Sequence, residues 1–99
     1  MRLSEKERLA ISDETTACFG ASAQPFLFGS RVDDSRRGGD IDLLVRIPDA
    51  TPADVFRRKV QFLVHLKSRI GEQHIDVVVA GPDDTRDVVR IAESKAIPL

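Results

Sequence analysis

Two periodicities divide the chain. From Asp40 to Ile47 apolar and polar residues alternate: Ile41, Leu43, Val45 and Ile47 fall on one face, and Asp40, Asp42, Leu44 and Arg46 on the other, the pattern of a half-buried strand. Between Val55 and Ile70 the apolar positions Val55, Phe56, Val60, Leu63, Val64, Leu66 and Ile70 recur at three- and four-residue spacing. Arg57, Arg58, Lys59, Lys67 and Arg69 fill the remainder as a solvated face. This predicts a long helix laid over a sheet, with Thr51 as N-cap, Pro52 at the first helical position, Asp54 in the first turn and Gly71 at the end.

The flanking segments obey the same rules. Leu3, Ser4 and Glu7 form a staple and capping box ahead of a helix from about Glu5 to Cys18, with Leu9, Ala10, Thr16, Ala17 and Cys18 as its buried side and a weak point at Ser12 to Thr15. Gly20 ends it. Pro25 to Phe28 is too short for a helix and reads as a buried first strand. His74 to Ala80 reads as another strand, with Ile75, Val77 and Val79 on one face and His74, Asp76 and Val78 on the other. After the Gly81-Pro82 turn, Asp83 or Asp84 can cap a final helix from Thr85 to Ser94 that uses Val88, Val89, Ile91 and Ala92, and Ala96 to Leu99 can add a short edge segment. The order is that of an α/β (α+β) chain with a small β-sheet whose apolar face helices must cover. The face that begins with two carboxylates is expected to stay open to solvent at that end, because a packed layer over them would be costly.

Composition narrows the function classes. With 99 residues the chain is expected to be a single domain over 1–99, with no room for a second substrate-binding domain. Its surface-to-volume ratio leaves apolar area to be exposed or to meet a partner, a second copy included. The balance of 15 basic against 16 acidic residues offers no broad electropositive face, which disfavours nucleic acid as a partner. Cys18 is the single cysteine, so neither an internal disulfide nor a cysteine-built zinc site is available; it reads as a small core residue in a reducing, cytoplasmic setting. His65 reads as structural or exposed. No apolar run approaches the roughly 20 residues that span a bilayer, and the N-terminus is charged rather than signal-like, so no membrane is implied.

The chemistry concentrates in Phe28 to Ile47, FGSRVDDSRRGGDIDLLVRI. A Gly29-Ser30 turn follows a strand, Asp40 and Asp42 open the next one, and Asp76 lies on a later strand. Residues two apart on a strand project from one face with Cα atoms roughly 6.5 to 7 Å apart, so Asp40 and Asp42 can share a divalent ion, and Asp76 can join them if its strand is adjacent. Unit charges at that separation repel by about 2 to 3 kcal/mol at an effective dielectric near 20, and a bound cation reverses the sign. Carboxylates that leave positions for water and phosphate suit magnesium, and in phosphoryl or nucleotidyl transfer two such ions can clamp the attacking and leaving oxygens of an in-line displacement. Asp76 is the candidate base for the attacking hydroxyl. Gly29 lets backbone N–H groups approach the phosphates of an NTP, the Ser30 hydroxyl can donate to one, and Arg31 can neutralise the leaving pyrophosphate, with Arg36 and Arg37 as further candidates.

Gly29-Ser30, nine intervening residues, then Asp40-Ile41-Asp42-Leu43, followed by Asp76 in an apolar strand, resembles the nucleotidyltransferase superfamily that includes DNA polymerase beta and kanamycin nucleotidyltransferase. The strings FGSR and GGDIDLLV are most similar to the minimal MNT-type domains of bacteria and archaea, in which Ser is frequent at the position held here by Gly39; that departure should alter the local turn and leave the ligands in place. The resemblance implies a polymerase beta-like mixed sheet with helices packed on one face and the metal site on the other. It further implies that Asp40, Asp42 and Asp76 bind magnesium and act in catalysis, and that Gly29 and Ser30 hold the triphosphate. Domains of this size commonly pair with a small helical HEPN-type protein as toxin and antitoxin, the MNT member transferring AMP from ATP onto its partner. The leading expectation is therefore a magnesium-dependent nucleotidyltransferase acting on a hydroxyl, with a protein as acceptor. The alternative is a non-catalytic, antitoxin-like module that neutralises a helical partner by binding.

Overall fold

In the computed structural model, which describes residues 3–32, 39–49 and 51–99 apart from the side chain of Ser30, the alternating segments pair into one four-stranded sheet. Along the chain the elements are α1 (Glu5–Phe19), β1 (Gln24–Phe28), a 3-10 turn (Gly29–Val32), β2 (Ile41–Arg46), α2 (Pro52–Ile70), β3 (Ile75–Ala80), α3 (Asp87–Ser94) and β4 (Ile97–Pro98). The strand order is β3-β2-β1-β4. β1 runs antiparallel to β2 and to β4, while β2 and β3 are parallel, so the sheet is mixed. Parallel neighbours require a crossover, and α2 supplies it. The C-terminal edge segment forms as expected, Leu99 N–H donating to the Pro25 carbonyl at 3.0 Å.

Both long helices begin where the sequence places their caps. The Ser4 and Glu7 capping box closes reciprocally at 2.9 and 3.0 Å, and Thr51 caps α2 through the Asp54 N–H at 3.4 Å. The helices end at Gly20 and Gly71, whose φ of +99° and +95° side-chain-bearing residues rarely adopt. They cover one face of the sheet. There Leu27, Ile41, Leu43, Val45, Ile75, Val77 and Val79 meet Ala10, Ile11, Phe19, Phe62 and Leu66 in a single core.

The buried stripes differ in detail from those the periodicity suggests. In α1 the inward residues are Ala10, Ile11, Thr15 and Phe19, whereas Leu9 stands 45% exposed. The helix does not break at Ser12 to Thr15, and the Thr15 hydroxyl donates to the Ile11 carbonyl at 2.7 Å, which allows this polar side chain to be buried. In α2 the fully buried residues are Phe62 and Leu66, while Phe56, Val60 and Val64 face outward at 70%, 45% and 61% exposure. The reason is lateral packing. α1 lies alongside α2, with Phe19 and Phe62 ring centroids 5.5 Å apart and Arg69 donating to Glu14 and Asp13, so α2 turns toward the groove between α1 and the sheet.

α3 adds a smaller layer on the opposite face. Val89 and Ala92 pack on Leu44 and Ala80, with Phe26, Phe28 and Val78 at the margin, whereas Val88 and Ile91 point outward. The helix begins at Asp87 without a side-chain cap, because Asp84 instead accepts from the backbone and guanidinium of Arg86. Arg46 pairs with Glu93 at 2.8 Å and fastens α3 to β2. No helix among the described residues is long and apolar enough to cross a membrane.

Phe62 and Phe56 test the orientation of α2. Phe62→Ala should cost about 3 to 5 kcal/mol in denaturant unfolding, and Phe56→Ala no more than about 0.5 kcal/mol. Equal losses would contradict the orientation described.

Candidate metal and nucleotide site

On the α3 face, β2 reads Asp42, Leu44, Arg46 and β3 reads Asp76, Val78, Ala80. The parallel register pairs Asp42 with Asp76 and Leu44 with Val78, so this face has an apolar half under α3 and an acidic end beyond it. Paired residues on adjacent strands lie about 4.8 Å apart, which brings together two carboxylates from distant parts of the chain. Asp40 and His74 each lie one residue ahead of their strands, at the same level, and the ladder reaches them because the Ile41 N–H donates to the His74 carbonyl at 3.1 Å.

His74 Nδ1 lies 2.7 Å from Asp40 Oδ2 and 3.8 Å from Asp76 Oδ2. One ligand atom from each of Asp40, His74 and Asp76 falls within 4.8 Å of the others. Asp42 sits beside this group and is the least exposed of the three aspartates. Its carboxyl is held above the ordinary aspartate range, first by burial and then by the negative charges of Asp76 and Asp40; His74 partly offsets this, and a hydrogen bond with Asp76 adds to it. The donor set of carboxylate oxygens and one imidazole nitrogen, most of it exposed, fits a divalent cation that keeps water or phosphate among its ligands.

Gly29 fits against this group for a steric reason. β1 ends at Phe28 opposite Asp42, so the next residue crosses over that carboxylate. A Cβ at position 29 would lie 2.2 Å from Asp42 Oδ2, and the backbone there has φ +76°. Any side chain would push Asp42 aside and strain the turn.

Arg31 is part of the scaffold of the site. Its Nε donates to the Gly39 carbonyl and its Nη2 to Gln73 Oε1, both at 3.3 Å. Gln73 in turn donates to Glu7 Oε2 at 2.8 Å and to the Ile70 carbonyl at 3.0 Å. The guanidinium thus links the turn after β1, the residue before Asp40 and the approach to β3. Gly39 has φ +90°, a conformation that disfavours serine, and Asp40 keeps its place beside His74. The Ser30 side chain, Arg36 and Arg37 lie outside the described residues.

The structure brings together Asp40, Asp42, Asp76 and Gly29. It adds His74, which the alternation had placed on the same face as Asp76 without giving it a role. The signal was its position two residues before an aspartate on the same strand face. Gln73 and Glu7 carried no such signal, because only the fold makes them neighbours. A second donor group, Glu14, Cys18 and His65, lies on the helical side. Glu14 is already bound by Arg69, and burial, followed by the Glu14 charge, pushes the Cys18 thiol up.

Over residues 12–99 the chain matches the family model of the nucleotidyltransferase domain, and it belongs to that family of enzymes. No curated protein and no solved structure matches it.

The raised Asp42 carboxyl has a consequence for stability. A carboxyl that holds its proton more tightly in the folded than in the unfolded chain makes stability fall as pH rises through and above the ordinary aspartate range, and has no effect below it. Asp42→Asn should therefore melt at a higher temperature than wild type at pH 7 without divalent ions, the gap closing as the solution is acidified into that range. A variant less stable than wild type at pH 7 would contradict the electrostatic account.

Proposed function

We propose that the chain transfers a nucleoside monophosphate, AMP from ATP, to a hydroxyl on a partner protein, using magnesium held by Asp40, Asp42 and Asp76. The observation that carries this reading is the in-register pair Asp42 and Asp76 at the uncovered end of the sheet, with Asp40 beside them and Gly29 against Asp42. Like charges so close are unfavourable without a cation, and membership of a nucleotidyltransferase family gives the cation a task.

In this reading Gly29 and Ser30 receive the triphosphate, with the glycine keeping both the turn and the Asp42 carboxylate in position. Arg31 holds the turn that carries them. Asp76 takes the proton of the acceptor hydroxyl as its oxygen bonds to the α-phosphorus. The bond from that phosphorus to the bridging oxygen breaks, and pyrophosphate leaves. Divalent ions held by Asp40, Asp42 and Asp76 would supply charge neutralisation for the developing negative charge.

The test is a pair of labelled nucleotides. Added with magnesium to lysate of the source cells, the purified chain should raise incorporation of label into protein from α-labelled ATP and cause no rise from γ-labelled ATP, and Asp42→Asn should lower that added incorporation by about a hundredfold or more. Unchanged incorporation by that variant would sink the reading. A binding-only role finds support in the outward stripe of Phe56, Val60 and Val64 on α2, across the sheet from the carboxylates. Its signature would be inhibition of a partner without nucleotide, undiminished in the Asp40→Asn, Asp42→Asn double variant. Loss of that inhibition would favour the enzyme.

A further inference from the structure

We propose that His74 is a nitrogen ligand of the divalent cation and shifts the preference of the site from magnesium toward nitrogen-accepting first-row dications such as cobalt and zinc. The inference rests on reading the carboxylates as a cation site and adds a residue and a selectivity to it.

The geometry comes first. Neighbouring donors on an ion with bonds of about 2.0 to 2.2 Å stand roughly 3 to 3.4 Å apart. The separations of His74 Nδ1 from Asp40 Oδ2 and Asp76 Oδ2, 2.7 and 3.8 Å, bracket that spacing, so small side-chain adjustments make all three donors ligands of one ion. The ring is also accessible, with the His74 side chain 65% exposed and those of Asp40 and Asp76 at 50% and 56%. It is not held there by core packing, since His74 is an exposed residue.

The donor chemistry then sets the preference. Magnesium takes oxygen ligands and gives up water reluctantly, whereas imidazole suits zinc and its neighbours, and affinities along the first row rise from manganese through cobalt. A purely carboxylate site gains little from that trend. An imidazole in the ligand set makes the site discriminate.

A role for His74 in merely positioning Asp40 through their 2.7 Å contact predicts something different. Its loss would then weaken every ion to a similar degree, and glutamine, which can still donate to a carboxylate, would restore much of the affinity. The two roles separate by ion.

Calorimetric titrations with Mg2+, Co2+ and Zn2+ distinguish them, run on the full chain carrying Cys18→Ser so that the Glu14, Cys18 and His65 donors do not compete. The Co2+ visible spectrum provides a second readout. In that background His74→Gln should weaken Co2+ and Zn2+ binding by at least about tenfold, change Mg2+ binding by less than about threefold and alter the Co2+ bands. A similar loss for all three ions, or no loss with unchanged bands, would overturn the assignment. Mg2+ binding that is weakened by Asp42→Asn, with Co2+ and Zn2+ binding indifferent to His74→Gln, would refute the histidine ligand and leave the carboxylate site standing. Failure of the parent protein to bind any of the three would refute both.

Discussion

Three carboxylates gathered at one end of a small sheet repel one another, and the parallel register of β2 with β3 holds two of them side by side. The main elements can be understood by what they contribute to that arrangement. α2 makes the parallel pairing feasible as its crossover, β1 delivers Gly29 to the open side of Asp42, and α3 stops short of the acidic end. The proton affinity of Asp42 is raised first by burial and then by the charges of Asp76 and Asp40, so the opposing force is only part of that rise.

Stability and chemistry are assigned to different faces. The face under α1 and α2 carries a continuous apolar layer from Ile41 to Val79, and its burial offsets charge repulsion that the other face cannot relieve by itself. The second face is divided along its length. Within one two-residue step of the strand it changes from Leu44 and Val78, under α3, to Asp42 and Asp76. A low-dielectric wall on one side and solvent on the other is a setting in which charge retains strength while ligands can still enter.

Much of this was legible because strand periodicity is unambiguous. Alternation in Asp40 to Ile47 and His74 to Ala80 assigned the carboxylates to the non-core face, and cap chemistry located the starts of both long helices. Helical orientation was harder to read. α2 has apolar residues around more than half its circumference, and only the presence of α1 decides that Phe62 goes inside and Phe56 outside. The support around Arg31 was not legible either, because Glu7, Gln73 and Gly39 are far apart in sequence, and neither the capping box at Glu7 nor the glycine before Asp40 points to Arg31. His74 was visible as a residue on the right face, and only the register and its distance to Asp40 gave it meaning.

β3 lies at the outer edge of the sheet. Its sequence, IDVVVA, is rich in β-branched residues and contains a single charge, Asp76. Strand edges of that composition invite pairing with other chains, and a charge is the usual safeguard. The same carboxylate that stands in the candidate site therefore protects the solubility of the strand that carries it. Under the proposed function, a neutral residue at position 76 would remove a ligand and the safeguard together.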